Sequence, residues 1–262
     1  MKFEINDNAK KEIFLIIVKN LKQFTTFLTF TLNTEYLYIQ GMDSSQVSLF
    51  EVNIKKDWFS EYEVDEHVKE ISVSTEILYK IINTHVEGQN ITIKFDSEKA
   101  EKLEIDFTNS DEKNKEQNIY DKFFEIPIME IDQEHLEVPE VDYEADFSIT
   151  SSVMTTIMDE MSIFNENAEI FCSEENIKIT ANGTEGKMNT SIPIDSLNTF
   201  EIVDNETLKL VYSLDYINKI MSFNKISKEM SLHLSNDYPM KIMYSLDNDS
   251  YVRFFLAPKI DE

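Results

Sequence analysis

Ile77-Leu78-Tyr79-Lys80-Ile81 and Tyr216-Ile217-Asn218-Lys219-Ile220 are two versions of one fragment, with Lys80 and Lys219 standing 139 positions apart. Tyr38-Ile39-Gln40-Gly41 is matched in the same way by Lys178-Ile179-Thr180-Ala181, and Ile39 and Ile179 are 140 positions apart. A helical run ending at Phe24 has a counterpart ending at Phe164, again at a spacing of 140. Three fragments of different type keep one order and nearly one spacing. They indicate a duplicated domain of roughly 120–140 residues, an ordinary domain size. A two-copy chain is pseudo-symmetric, and pseudo-symmetric chains are suited to closing rings.

Outward from these fragments, each copy reads as strands interrupted by two helices. The helical stretches are expected at about 9–24 and 74–83 in the first copy and 151–164 and 213–222 in the second. In the first, Ile13, Phe14, Ile17, Leu21 and Phe24 form the apolar stripe, and Lys11, Lys19 and Lys22 are placed on the far side. Ile77, Leu78, Ile81 and Ile82 face inward in the second helix, Val153, Met154, Ile157 and Met158 in the third, and Leu214, Ile217, Ile220 and Met221 in the fourth. Lys80 and Lys219 lie off these stripes. Alternating runs at 27–32 and 35–40 flank Asn33-Thr34 and read as a hairpin. Further strands are expected at 46–52, 90–95, 102–107, 169–172, 177–179, 208–211, 230–234 and 252–256. Such meanders favour antiparallel sheets. The polar segment 108–118 reads as a hairpin tip. The acidic, proline-bounded stretch 127–142 reads as the junction between the copies.

The 262 residues can bury two modest cores. No apolar run approaches the roughly 20 residues of a membrane span, and the opening residues lack the apolar centre of a signal peptide. One cysteine, Cys172, excludes an intrachain disulfide framework and fits a reducing compartment. The net charge of −26 favours solubility and opposes tight coating of DNA by the whole surface. It leaves room for a local basic face, because screening confines charge effects to about 8–10 Å.

Catalytic chemistry finds little footing. No glycine-rich loop follows a strand, and the four histidines, His67, His85, His135 and His233, lack ligand spacing. With 50 carboxylates, adjacent pairs such as Asp159-Glu160 arise by chance. No nucleophile with its base is evident, and no catalytic residue, metal site or cofactor is expected.

Three segments carry a resemblance. Gly41-Met42-Asp43-Ser44-Ser45-Gln46-Val47-Ser48-Leu49 closely resembles a signature loop of the proliferating cell nuclear antigen family of DNA sliding clamps. The run Ile128-Met129-Glu130-Ile131-Asp132 through Leu136-Glu137-Val138-Pro139-Glu140 resembles its interdomain connector, and Phe254 to Glu262 its C-terminus. They occur in family order and spacing. The resemblance implies an α+β chain of two similar domains, each of antiparallel sheet with two helices. The expected boundaries are 1–126 and 143–262, joined by a connector at 127–142. Three subunits would close a ring around double-stranded DNA, gripping it without regard to sequence.

What the resemblance implies can be placed residue by residue. Lys11, Lys19, Lys22, Lys80 and Lys219 would face phosphate. Met42, Gln46, Val47, Leu136, Val138, Pro139, Pro239, Phe255, Ala257 and Pro258 would form a pocket for a short helical peptide carried by DNA polymerase and other partners. An edge strand with Phe123, Phe124 and Ile126 would pair with one carrying Ile177 and Ile179 on the next subunit. A clamp loader would open the homotrimer, with no membrane involved. The setting would be a nucleus, or a cytoplasmic viral replication site for a viral chain. Gln46 departs from the histidine common in eukaryotic members. The third helix offers Thr155, Thr156, Asp159 and Ser162 where members usually carry basic residues, and Asp215 stands where arginine is frequent. Rival readings are a subunit of a heterotrimeric checkpoint-type clamp, a viral processivity factor that forms no ring, or a metal-dependent nuclease.

Overall fold

The computed structural model describes residues 1–64, 69–95, 102–109, 120–131 and 136–259. The expected hairpin tip at 108–118 lies outside them from residue 110 onward, as do 132–135 of the connector and the last three residues. The described chain divides into two compact units. One comprises Met1–Gly41, Glu51–His135 and Leu246–Tyr251; the other comprises Met42–Phe50, Leu136–Ser245 and Val252–Glu262.

The first unit runs β1 (Lys2–Ile5), α1 (Asn8–Leu21), β2 (Phe27–Leu32), β3 (Tyr36–Met42), β4 (Ser48–Lys55), β5 (Glu61–Glu63), β6 (Lys69–Ser74), α2 (Thr75–Ile82), β7 (Gln89–Lys94), β8 (Lys102–Asn109) and β9 (Lys122–Pro127). Its strands are ordered β5-β1-β7-β8-β9 and β4-β3-β2-β6. The second unit runs β10 (Ala145–Thr150), α3 (Ser151–Met161), β11 (Asn167–Cys172), β12 (Asn176–Gly183), β13 (Gly186–Pro193), β14 (Thr199–Ile202), β15 (Leu208–Ser213), α4 (Leu214–Met221), β16 (Glu229–Leu234), β17 (Met240–Ser245) and β18 (Tyr251–Leu256). Its orders are β14-β10-β16-β17-β18 and β13-β12-β11-β15. Adding nine to every strand number of the first unit reproduces the second, so the sequence repeat is a repeat of topology. The strand pairings among the described residues are antiparallel, as in the β7–β8 and β11–β12 ladders.

Local chemistry repeats as well. The β2–β3 turn is held by Asn33, whose side-chain oxygen accepts from Glu35 N at 2.8 Å and Tyr36 N at 3.0 Å. Its counterpart 140 positions on is Ser173, whose hydroxyl accepts from Glu175 N and Asn176 N at 3.4 Å. Asp7 caps α1 by accepting from Lys10 N at 2.9 Å, and Ser74 begins α2 in the same manner.

The two cores differ in character. Phe3, Phe14, Trp58 and Phe59 are buried in the first unit, with Phe3 and Phe59 ring centroids 5.0 Å apart. In the second, α3 buries three methionines, Met154, Met158 and Met161, and α4 adds Leu214, Ile217, Ile220 and Met221. Ile77 and Val153, expected inside, are 40% and 48% exposed. Each stands one position ahead of its helix's buried stripe, at Leu78 and Met154, and one step turns a helical side chain by about 100°.

The hairpin β12–β13 escaped the sequence reading. Its turn depends on Gly183: a Cβ there would lie 1.8 Å from the Phe164 carbonyl oxygen, a contact no side chain tolerates. Two of the chain's four glycines, Gly183 and Gly186, bracket this turn and were the available signal.

Candidate functional site

Helix dipoles and apolar stripes leave α2 and α4 with matching outer faces. Lys80 Nζ lies 2.7 Å from Glu76 Oε1, and Lys219 Nζ lies 2.6 Å from Asp215 Oδ2, both at the i, i+4 spacing that neighbours share on a helix. Glu76 and Asp215 are themselves equivalent positions of the repeat. The hydrogen bond from Lys80 holds the Glu76 carboxyl below its ordinary range. Aromatic faces complete the arrangement: Lys22 Nζ lies 4.3 Å from the Tyr79 ring centroid and Lys219 Nζ 4.9 Å from that of Tyr216. Lys22 and Lys80 are exposed; Lys19 and Lys219 are half-buried.

Lys11 departs from its expected place on the outer face. It is 3% exposed and its ammonium reaches Asn90 Oδ1 at 3.4 Å. Burial lowers its pKa. Lys11, Phe14, Val18 and Leu21 follow the i, i+3, i+7 spacing of one helix face, so the lysine belongs to the stripe that the sequence reading drew without Val18. It lines a cavity of about 330 Å³ with Asn8, Glu12, Leu15, His85, Glu87 and Gly88.

In the second unit the turn at 43–48 is built around one carboxylate. Asp43 Oδ1 accepts from Val47 N at 2.8 Å and Ser48 N at 2.6 Å. Oδ2 accepts from Ser45 N at 2.8 Å and from the Tyr216 hydroxyl at 2.8 Å. Burial alone would raise the Asp43 carboxyl; these four donors outweigh it and hold the group below the ordinary range. The turn also places Gln46 at φ 58°, a left-handed conformation uncommon outside glycine. Two further ties gather part of the expected pocket: Ala257 N donates to Val47 O at 3.0 Å, and Arg253 Nη1 lies 3.3 Å from Glu140 Oε1. The Arg253 guanidinium also covers the Phe255 ring at 5.4 Å. Met42, Val47, Val138, Ala257 and Pro258 are half-buried; Gln46, Leu136, Pro139 and Pro239 are exposed; Phe255 is buried.

A carboxyl that is depressed in the folded state contributes stability above the pKa of an unfolded aspartate, and that contribution is lost as pH falls through the folded value. Asp43→Asn is therefore expected to lower stability at pH 7 by about 1–3 kcal/mol. It should also flatten the acid limb below about pH 4, where unfolded aspartate titrates. Thermal unfolding of both chains between pH 7 and pH 2 measures this, and parallel curves would refute it.

The sheet edges differ from expectation in one respect. β9 ends its sheet and exposes Phe123 at 69%, with Tyr120 just ahead of it at 70%. Phe124 instead packs edge-on against Phe107 at 5.6 Å, and Ile126 is buried. β12 is no edge, being paired to β11 on one side and to β13 on the other, and its Ile177 and Ile179 are fully buried. Among the described residues the free edge on that side is β13. The cause is the unread hairpin, which interposes one strand.

Pairing of β10 with β16 makes a trio that the sequence reading missed. Ser231 Oγ lies 3.1 Å from His233 Nε2, and His233 Nδ1 lies 2.5 Å from Asp146 Oδ1. The order is that of a nucleophile, base and orienting acid. Ser231 nevertheless sits within an internal strand between β10 and β17, so its backbone N–H groups serve the sheet ladders instead of forming an oxyanion hole. Among the described residues no group of three His, Cys, Asp or Glu side chains is placed to hold a metal ion. No described helix is long and apolar enough to cross a membrane. Cys172 is buried, and burial pushes its thiol up to about 11.

Two copies of one sheet-and-helix layout, with basic side chains on matching helices and a free strand edge on each unit, define the two-domain DNA clamp fold. The chain belongs to the proliferating cell nuclear antigen family: the family's N-terminal domain matches residues 4–135 and its C-terminal domain residues 137–259. It is 26% identical over 246 residues to proliferating cell nuclear antigen 2 of Drosophila melanogaster, covering 94% of this chain and 93% of that one. It is 27% identical over 254 residues to proliferating cell nuclear antigen of Chaetomium thermophilum, covering 94% of each. At this identity the chain is a divergent member.

Proposed function

We propose that this chain is a sliding clamp and DNA polymerase processivity factor, working as a homotrimeric ring around duplex DNA and catalysing no reaction of its own. The observation that carries the reading is the strand-for-strand repeat. Three two-unit chains would set six equivalent helix pairs around one hole, and a head-to-tail contact between unlike edges would close it. β9 of one subunit and β13 of the next are the edges this reading joins, in place of the pairing with Ile177 and Ile179 that the sequence suggested. Lys19, Lys22, Lys80 and Lys219 would meet phosphate; Lys11 is set aside as buried.

The peptide site would lie around the 43–48 turn, with Met42, Gln46, Val47, Val138, Ala257 and Pro258 as its walls and rim. Leu136, Pro139, Pro239 and Phe255 complete the set. An apolar dent bordered by free backbone suits a short helical peptide with aromatic anchors. Polymerases, other replication and repair proteins and a clamp loader are the partners this implies. The compartment is a nucleus, or a viral replication site for a viral chain.

A ring and a groove differ in topology, and the test uses that difference. The chain is threaded onto short linear duplex DNA whose ends are then blocked with bulky protein caps. After a high-salt wash it is expected to remain on the blocked duplex and to leave the open one, because salt removes phosphate contacts but cannot open a closed path. Equal loss from both would overturn the encircling reading.

A further inference from the structure

We infer that Tyr216 is a positioning residue for the 43–48 turn, so that helix α4 holds one wall of the partner-peptide site in its binding shape. The inference rests on the proposed reading of Met42, Gln46 and Val47 as part of that site.

The turn is short and its backbone N–H groups converge on a single buried carboxylate, which is 8% exposed. Of the four donors to Asp43, three belong to the turn itself, from Ser45, Val47 and Ser48. The fourth, Tyr216, comes from a helix 173 positions away. The first three shape the loop locally; the phenol anchors the loop to the unit. Through Val47, whose carbonyl accepts from Ala257 N at 3.0 Å, the same anchor reaches the segment after β18. Gln46 at φ 58° is a conformation that a non-glycine residue keeps only when its surroundings hold it. The hydrogen bonds on either side of Gln46, Ser45 N and Val47 N to Asp43, are that hold.

Tyr216 stands on α4 beside Lys219, which lies 4.9 Å over its ring and 2.6 Å from Asp215. One face of the phenol therefore carries a cation of the outer helix face while its hydroxyl points to the turn. Removing only the hydroxyl separates these two roles. Tyr216→Phe keeps the ring, its packing and its cation contact, and deletes the anchor. Tyr212→Phe is the matched control, since that hydroxyl is fully buried and has no hydrogen-bond partner among the described residues.

The experiment measures fluorescence anisotropy of a synthetic helical peptide, with apolar and aromatic anchors, on the assembled full chain. Tyr216→Phe is expected to weaken binding about ten- to hundred-fold, the range for losing a hydrogen bond to a charged acceptor. The amide exchange of Val47 and Ser48 should quicken while the denaturant midpoint stays close to that of the unaltered chain. Tyr212→Phe should bind as the unaltered chain does. If the unaltered chain binds and Tyr216→Phe binds equally well, this inference falls and the pocket reading stands. If the unaltered chain does not bind the peptide, the pocket reading falls and takes this inference with it. A Tyr216→Phe chain that binds weakly only because its denaturant midpoint has collapsed would show a structural role and overturn positioning.

Discussion

Replacing Phe123 with aspartate is expected to leave a folded chain that runs at 30.7 kDa where the unaltered chain runs at three times that mass. Phe123 is 69% exposed on a strand that ends its sheet, so the isolated subunit loses almost nothing when the ring is removed. Exposed substitutions of this kind usually change stability by no more than about 0.5 kcal/mol. In a closed ring the position would be covered by the next subunit's β13, and a buried unpaired carboxylate costs several kcal/mol at each joint. A head-to-tail ring carries that cost at every joint at once, which is why the expected outcome is a single chain and not a weakened ring. Phe123→Tyr keeps the aromatic surface and should keep the ring. Light scattering at micromolar concentration decides. A trimer that survives Phe123→Asp would remove β9 from the joint, and an unaltered chain that is already monomeric would favour the non-ring viral reading.

The second large effect concerns charge. The paired substitution Glu76→Gln with Asp215→Asn should strengthen DNA association about ten-fold or more near physiological salt and steepen its salt dependence. Lys80 and Lys219 are each held within 2.7 Å of a carboxylate on their own helix. Exposed i, i+4 pairs of this kind are worth only about 0.3–0.5 kcal/mol, so they do little for the fold. They nevertheless halve the local positive charge that a phosphate would meet. Freeing two lysines on each of three chains adds six candidate contacts, and each phosphate neutralised contributes about −0.9 to the slope of log K against log salt. Stability should scarcely change. An unaltered slope would mean that these helices do not face DNA. On the proposed reading the unaltered chain would be a clamp with weak friction, its helices turning cations towards DNA and partly cancelling them. α3 goes further, since its outer face carries Thr155, Thr156 and Asp159 without a lysine.

Much of this molecule is legible along the chain, for physical reasons that can be named. Helical stripes recur every 3.6 residues and strands every two, so α1 to α4 and most strands could be placed from periodicity. The repeat at 139–140 positions survives because both copies must bury equivalent faces. Lys11 shows the limit of the method. A long side chain can lie along an apolar stripe and bring its ammonium to a lone amide, so its helical angle decides its burial better than its charge does. The Tyr216–Asp43 bond was equally hidden, because it joins an unremarkable helix position to a loop far off in sequence.

The linear chain thus specified the duplicated α+β architecture, the helix stripes and the loop chemistry of Asn33 and Asp43, all of which arise between residues near each other in sequence. Which strand edge stays free, which lysines reach the surface and what anchors the 43–48 turn were settled only when distant segments packed. An edge is free only if no other strand takes it. β12 has the hydrophobic alternation of an edge candidate but is enclosed, while β13, polar and overlooked, ends the sheet on that side among the described residues.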